Sequence, residues 1–495
     1  MKAPYAIHWF RRDLRFAGNE ILDWSIKKHQ GRVLGLFCFD KLFLSRKDFS
    51  HNRFQFFLES LKSLKEDLKK MGGDLIILDT GPQEAFDEIF KVLKKDNIEF
   101  PTMITWNRDY EPFALKRDRK MISYFKTLEI STYNGRDHLI LEPHEINKGS
   151  KDGEGYKVYT PFYNKWIQKF EEESIQKRII FQKKSLGLIK KISQGAPPKY
   201  FSLTWSKLLK SKNKLTDCLD KYIDQNKKSV TIPIPKAGTT EAFRLLQSFH
   251  SKVENYTLER DYPFLKGTSG LSVFLKNGSI STGQIISYLK LHSPDEKDNS
   301  QGKFTFLKEI VWREFYYHVL FHFPHVEKNS FKESYQNIPW ENNKKFFKAW
   351  KDGLTGFPIV DAGMRQLKQT GWMHNRVRMI VASFLTKDLL IDWKWGEKYF
   401  MEELLDGDLA PNNGGWQWAA STGCDSQPYF RIFNPWSQGQ KFDPEAHYIK
   451  KYIPELKELP PKEIHSGKIF HKSYPQPIVD HKIQREKALK LYKEL

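Results

Sequence analysis

The hydrophobic pattern changes period part-way along the chain, and that switch restricts the fold more than any other feature. Over residues 1–135, short apolar runs alternate with amphipathic stretches. The runs Tyr5–Phe10, Val33–Phe39, Asp74–Leu78, Thr102–Trp106 and Ile130–Tyr133 read as strands. Between the second and third, Phe54, Phe57, Leu58, Leu61, Leu64 and Leu68 fall on one helical face. Such alternation predicts a parallel sheet covered by helices. From residue 238 onward the apolar spacing is helical, broken by Gly and Pro turns. The expected architecture is a Rossmann-like α/β domain (1–135), a long connector (136–230) and a larger all-helical domain (231–495).

Several function classes fall away. No G-x-G-x-x-G follows the first strand, where Arg11-Arg12-Asp13 stands instead, which argues against an ordinary dinucleotide dehydrogenase. Cys38, Cys218 and Cys424 are far apart, with no C-x-x-C or H-E-x-x-H spacing, so no metal site is expected and a reducing cytoplasm fits best. The N-terminal MKAPYAIHWFRRDLRF lacks the apolar run of a secretion signal, and no membrane partner is expected. A net charge of +21 favours a polyanionic partner, although surface lysines alone produce such values.

Three segments could carry chemistry. In KEIVWREFYYH, helical spacing puts Glu309, Trp312 and Tyr316 on one face, a carboxylate beside two rings, which suits a flat heteroaromatic ligand and equally a helix end packed on a neighbour. Read as one helix, Gly371–Leu390 brings Trp372, Asn375, Arg378 and Met379 together, and a buried Arg378 would want Asp406 or Asp408 as partner. The segment LLDGDLAPNNGGWQW reads as a loop approaching a ligand. Gly267–Ser272, after Tyr256, could cradle phosphate or simply cap a helix.

Taken together, WFRRDLR (9–15), YTPFYNKW (159–166), RDYPFLKGTSGLS (260–272), WREFYYH (312–318), TGWMHNRVRM (370–379), the segment 388–423 and FRIFNPWSQGQKFD (430–443) resemble the photolyase/cryptochrome family, specifically class I cyclobutane pyrimidine dimer photolyases. They run in order over nearly the whole chain.

The resemblance implies FAD, working as FADH⁻, held by Tyr256, Thr268, Ser269, Gly270, Leu271, Ser272, Asn375, Arg378, Asp406, Gly407, Asp408 and Asn412. It implies a monomer acting on UV-damaged DNA, with a flipped-out dimer met by Arg260, Glu309, Trp312, Arg313, Tyr316, Asn375, Arg376, Val377, Trp418 and Gln438. Glu309, Asn412 and Met379 would be catalytic. Trp416, Trp393 and Trp340 would form an electron-transfer chain, Trp416 nearest the flavin. An antenna chromophore would sit at Asp40, Arg53, Asp109, Glu111 and Lys276, of deazaflavin or FMN type ahead of methenyltetrahydrofolate, for which Glu111 and Lys328 would serve. The rival implied by the same family is a cryptochrome-type blue-light receptor, sharing flavin and tryptophans but not the dimer pocket.

Overall fold

Each of the five apolar runs forms a strand: β1 (Ala6–Trp9), β2 (Val33–Cys38), β3 (Leu75–Leu78), β4 (Met103–Asn107) and β5 (Ser131–Gly135). The computed structural model describes residues 4–147, 154–209, 215–291, 301–469 and 471–494. All strand pairs are parallel, in the order β3-β2-β1-β4-β5, with Ala6 opposite Val33 on one side and Met103 on the other. Strands β1 to β3 are buried at every residue and β4 at all but Met103, which is why they appear as apolar runs, whereas edge strand β5 leaves Ser131 and Tyr133 exposed. Alternate residues feed two cores. Ile7, Trp9, Leu34 and Leu36 pack beneath Phe86, Ile89 and Phe125, while Ala6, Phe10, Val33 and Phe37 pack against Leu58, Leu61 and Leu64. The amphipathic 54–68 stretch lies inside a helix spanning His51–Lys70.

The chain gathers into two compact units. The first comprises residues 1–146, 164–251 and 269–299; the second comprises 147–163, 252–268 and 300–495. Residues expected as connector thus contribute to both. Residues 269–299 return to the first unit, where the Thr282–Leu289 helix packs along the Glu173–Ser193 helix. Gln284 Nε2 donates to the Ala17 carbonyl (3.0 Å), and Arg15 donates to the Gly278 carbonyl (3.1 Å).

In the second unit every described element is helical, around a core containing Trp350, Val377, Phe384, Trp393, Phe400 and Trp416. No described helix is long and apolar enough to cross a membrane. Two local expectations are corrected here. The stretch 371–390 is not one helix. Gly371 ends the preceding Pro358–Thr370 helix in the left-handed region (φ 63°), His374 caps a new helix at Asn375–Ser383, and residues 384–388 form a π-helical turn. Trp372 therefore lies outside the helix bearing Arg378. Nor is Asn412–Gly415 a loop, because Leu409–Ala419 is a helix. Gly414 is tolerated inside it because the Tyr316 ring lies against its backbone, where a Cβ would approach ring carbons to 2.0 Å. Packing overrides the composition of N-N-G-G.

Candidate functional site

In the first unit the antenna candidates converge. Arg11 and Arg12 follow β1, Asp40 follows β2, and Asp109 and Glu111 follow β4, so all leave the carboxyl ends of strands. The order of strands reverses between β1 and β4, and crevices at such a reversal are where doubly wound sheets bind ligands. Local capping fixes the residues. Asp40 caps the Lys41–Leu44 turn through the Leu42 amide, and Ser50 caps the helix that carries Arg53 in its first turn. A cavity of about 180 Å³ results, lined by Asp40, Arg53, Asp109, Glu111 and Lys276 together with Arg12, Arg117 and the rings of Phe39, Phe43 and Phe113. Arg12 reaches Glu111 (2.9 Å) and Asp109 (3.7 Å), and Lys276 Nζ lies 3.7 Å from Glu111. Burial opposes ionisation of Asp109, but Arg12, His138, Arg117 and Arg11 outweigh it and hold the carboxyl below its usual range. Cations around aromatic walls suit a flat anionic chromophore. Arg12 and Arg117 line this cavity although sequence reasoning assigned them no role; Arg12's signal was that R-R-D replaces a glycine fingerprint, and Arg117, inside the Pro112–Thr127 helix, had none.

In the second unit the Gln301–His322 helix presents Glu309, Trp312 and Tyr316 on successive turns, the two rings 5.7 Å apart. Arg260 Nη1 donates to Glu309 Oε1 (2.7 Å), and its guanidinium lies 5.5 Å from the Tyr256 ring. Arg376 Nη2 pairs with Asp261 (2.8 Å), and its guanidinium stacks 4.4 Å over Phe442. Both ion pairs are partly exposed and contribute little stability, about 0–1 kcal/mol each. Their effect is positional: two arginines stand at fixed places beside an aromatic surface. Asp261 was invisible as a functional residue in the sequence, hidden in R-D-Y-P-F.

Arg378 meets Asp406 rather than Asp408, through Nη2 at 2.8 and 3.1 Å, with Asp406 buried and Arg378 about a quarter exposed (26%). Asp408 instead accepts the Tyr317 hydroxyl (2.6 Å). Asn412 Nδ2 donates to the Glu397 carbonyl (3.0 Å), which fixes the amide and makes its oxygen the group left for a ligand donor. Asn375 is exposed, its amide 3.9 Å from Met379 Sδ. Trp416 and Trp393 are buried and Trp340 is partly exposed. Trp416 Nε1 is buried with no hydrogen-bond partner among the described residues. A guanidinium–carboxylate pair and a fixed carboxamide fit a heteroaromatic cofactor with donors and acceptors on its edge, which is what flavin is.

Other expected residues fall elsewhere. Val377 is fully buried against Gly363 and offers no side-chain surface to DNA. Arg313 lies with its guanidinium 5.0 Å from the Tyr317 ring. Trp418 and Gln438 are partly exposed, Gln438 on the Pro435–Phe442 helix. Thr268 belongs to the second unit and Ser269–Ser272 to the first, where Gly270 is left-handed (φ 65°). Lys328 lies in the second unit and does not line the antenna cavity.

Comparison with known proteins points one way. Residues 6–178 match the family model described as DNA photolyase, and residues 306–494 match that described as the FAD binding domain of DNA photolyase. The deoxyribodipyrimidine photo-lyase of a Synechococcus species is 36% identical, covering 100% of this chain and 97% of the relative. Among solved structures, a bacterial class III photolyase from Agrobacterium tumefaciens superposes with a TM-score of 0.80 at 33% identity, covering 100% of this chain and 98% of that one. An archaeal photolyase from Sulfolobus tokodaii, solved with two FAD molecules, gives 0.78 at 32% identity, covering 99% of this chain and 100% of that one.

Proposed function

Since the chain belongs to the DNA photolyase family, we propose that it repairs UV-damaged DNA with light as a class I pyrimidine dimer photolyase, working as a cytoplasmic monomer. The observation that carries this reading is the face of Glu309, Trp312 and Tyr316 flanked by two carboxylate-held arginines. A dimer stacks poorly in duplex DNA, so extruding it costs less than extruding a normal pair. Trp312 and Tyr316 offer apolar surface for the extruded lesion, and Glu309 can hydrogen-bond a thymine edge. Arg260 and Arg376 can exchange their carboxylate partners for flanking phosphates, which position the duplex without reading its sequence.

When bound, reduced FAD supplies the photoexcited electron that opens the cyclobutane ring. Arg378, Asp406, Asp408 and Asn412 would hold it. Trp416, Trp393 and Trp340 would carry electrons inward from an external reductant at the protein surface to keep it reduced. The cavity in the first unit would take a second, flavin-type chromophore, FMN or a deazaflavin, whose anionic groups its cations can match.

Visible light is expected to restore oligonucleotides containing cyclobutane dimers, and the purified protein is expected to show flavin absorption. Flavin without repair would place the chain among light sensors. Heat release of the chromophores and their spectra would identify the second pigment; a folate spectrum would contradict the flavin assignment. Trp340→Phe is expected to slow light-driven reduction of the bound flavin at least tenfold, while chemically pre-reduced protein repairs at nearly the original rate. Loss of both activities would show that Trp340 does more than relay electrons.

A further inference from the structure

The segment before residue 164 holds a side chain whose position is unusually specific. Tyr159 stacks face to face on Trp312, with ring centroids 3.6 Å apart and planes within 3°. Its hydroxyl donates to the Lys308 carbonyl (3.0 Å), one helical turn before Trp312. Its backbone N–H donates to Asp425 Oδ2 (3.0 Å). Phe315 closes on both rings edge-on, 5.8 Å from Tyr159 and 5.6 Å from Trp312. Tyr159 is buried at 8% exposure, whereas Trp312 is partly exposed. The phenol is thus held at its hydroxyl, at its backbone and across its face.

From this geometry we infer that Tyr159 is a positioning residue for lesion recognition: it covers one face of Trp312 and fixes the indole plane, so that a damaged base stacks on the remaining surface. The inference rests on the placement of Trp312 in the lesion pocket. An exposed indole on a free helix samples several rotamers, and a ligand that stacks on it must immobilise it at a cost in affinity. Tyr159 does this before DNA arrives. An opposed ring also excludes stacking on the covered face, so a single flat partner is selected. The contact joins 147–163 to the Gln301–His322 helix within one compact unit, so the tyrosine is part of the pocket's frame.

The test uses the full chain with its flavin, in the dark, measuring affinity for dimer-containing and undamaged duplexes of one sequence. Tyr159→Leu, which keeps apolar volume but not the ring, is expected to weaken damaged-DNA binding about five- to tenfold. Undamaged binding and flavin content should change less than twofold. Tyr159→Phe, which keeps the ring and loses only the hydroxyl, is expected to recover most of the loss. In a Trp312→Ala background, Tyr159→Leu should have no further effect, because coupled residues are not additive. If Trp312→Ala lowers the damaged-to-undamaged ratio and Tyr159→Leu does not, the inference fails alone. An equal loss in both backgrounds also overturns it. If Trp312→Ala leaves the ratio unchanged, the lesion-pocket reading fails and this inference with it. Should Tyr159→Leu lose flavin as well, the Tyr159→Phe variant and its coupling to Trp312→Ala decide: a ratio matching the parent protein supports positioning by the ring, and one matching Trp312→Ala overturns it.

Discussion

Asp406→Ala is expected to purify with little flavin and to unfold more easily by about 2–3 kcal/mol. Arg378 reaches Asp406 twice through Nη2 and also donates from Nε to the Met373 carbonyl (2.8 Å). Deleting the carboxylate leaves the guanidinium with one neutral acceptor. Breaking a fully buried pair costs roughly 3–5 kcal/mol, and the residual exposure of Arg378 lets water recover part of that. Loss of flavin would add to the apparent destabilisation, because a ligand that binds only the native state stabilises it. Flavin content from the absorption spectrum, with urea unfolding of both proteins, separates the two contributions. A variant with full flavin and an unchanged midpoint would remove Asp406 from the cofactor site.

Acid is expected to destabilise the protein through His374. This residue is 2% exposed and caps the Asn375–Ser383 helix, its Nδ1 accepting the Arg376 N–H at 3.2 Å. Burial is the main cause that lowers its pKa to about 4; Arg378, Arg376 and Arg260 push the same way and Asp261 opposes them. In the unfolded chain the value is about 6.5. Between these values the unfolded state binds a proton that the native state refuses, so stability rises with pH across the window. The contribution is complete above pH ~6.5 and is lost as pH falls toward 4; its size is on the order of 3 kcal/mol. Protonation also removes the capping acceptor, so the helix carrying Asn375, Arg376 and Arg378 should loosen first. His374→Asn keeps a capping oxygen without the titration. Urea unfolding at several pH values should show a flatter profile for that variant. An unchanged slope would assign the acid sensitivity to other groups, such as His29, whose imidazole burial also holds below its usual value.

Four strands were legible because burial leaves apolar runs, and β5, exposed at Ser131 and Tyr133, from its β-branched and aromatic residues; all five fell within two residues of their expected limits. The Glu309–Trp312–Tyr316 face was legible because helical spacing is periodic. What failed was local backbone detail. Periodicity passes unbroken through Gly371 and His374, where the chain actually stops one helix and caps another. At Asn412–Gly415 composition favours a turn, yet Tyr316 packing on Gly414 and the Asn412 and Asn413 bonds to Glu397 make a helix. Pairings between distant segments were the least legible. Nothing in Y-T-P-F-Y-N-K-W indicates that Tyr159 will lie on Trp312, and nothing near Asp261 indicates Arg376. Of the antenna residues, the five expected ones do line one cavity, but only the strand order reveals why they can meet.

The return of residues 269–299 to the first unit has a consequence for how the molecule is made. A ribosome delivers the sheet early, with all five strands complete by Gly135. Yet Ala17 and Arg15 gain further bonds from Gln284 and Gly278, and the Glu173–Ser193 helix gains the Thr282–Leu289 helix as a neighbour, only later. At about 5–20 residues per second, these late contacts arrive some tens of seconds after the first strand. In the interval the nascent chain carries a sheet whose polar loop and outer helix lack their last supports, while part of the second unit, 252–268, has already been threaded through. Vectorial synthesis therefore cannot finish one unit before beginning the other. The first unit is complete only once 269–299 has been made, and a nascent chain stalled between residues 251 and 289 is expected to be the most dependent on chaperones.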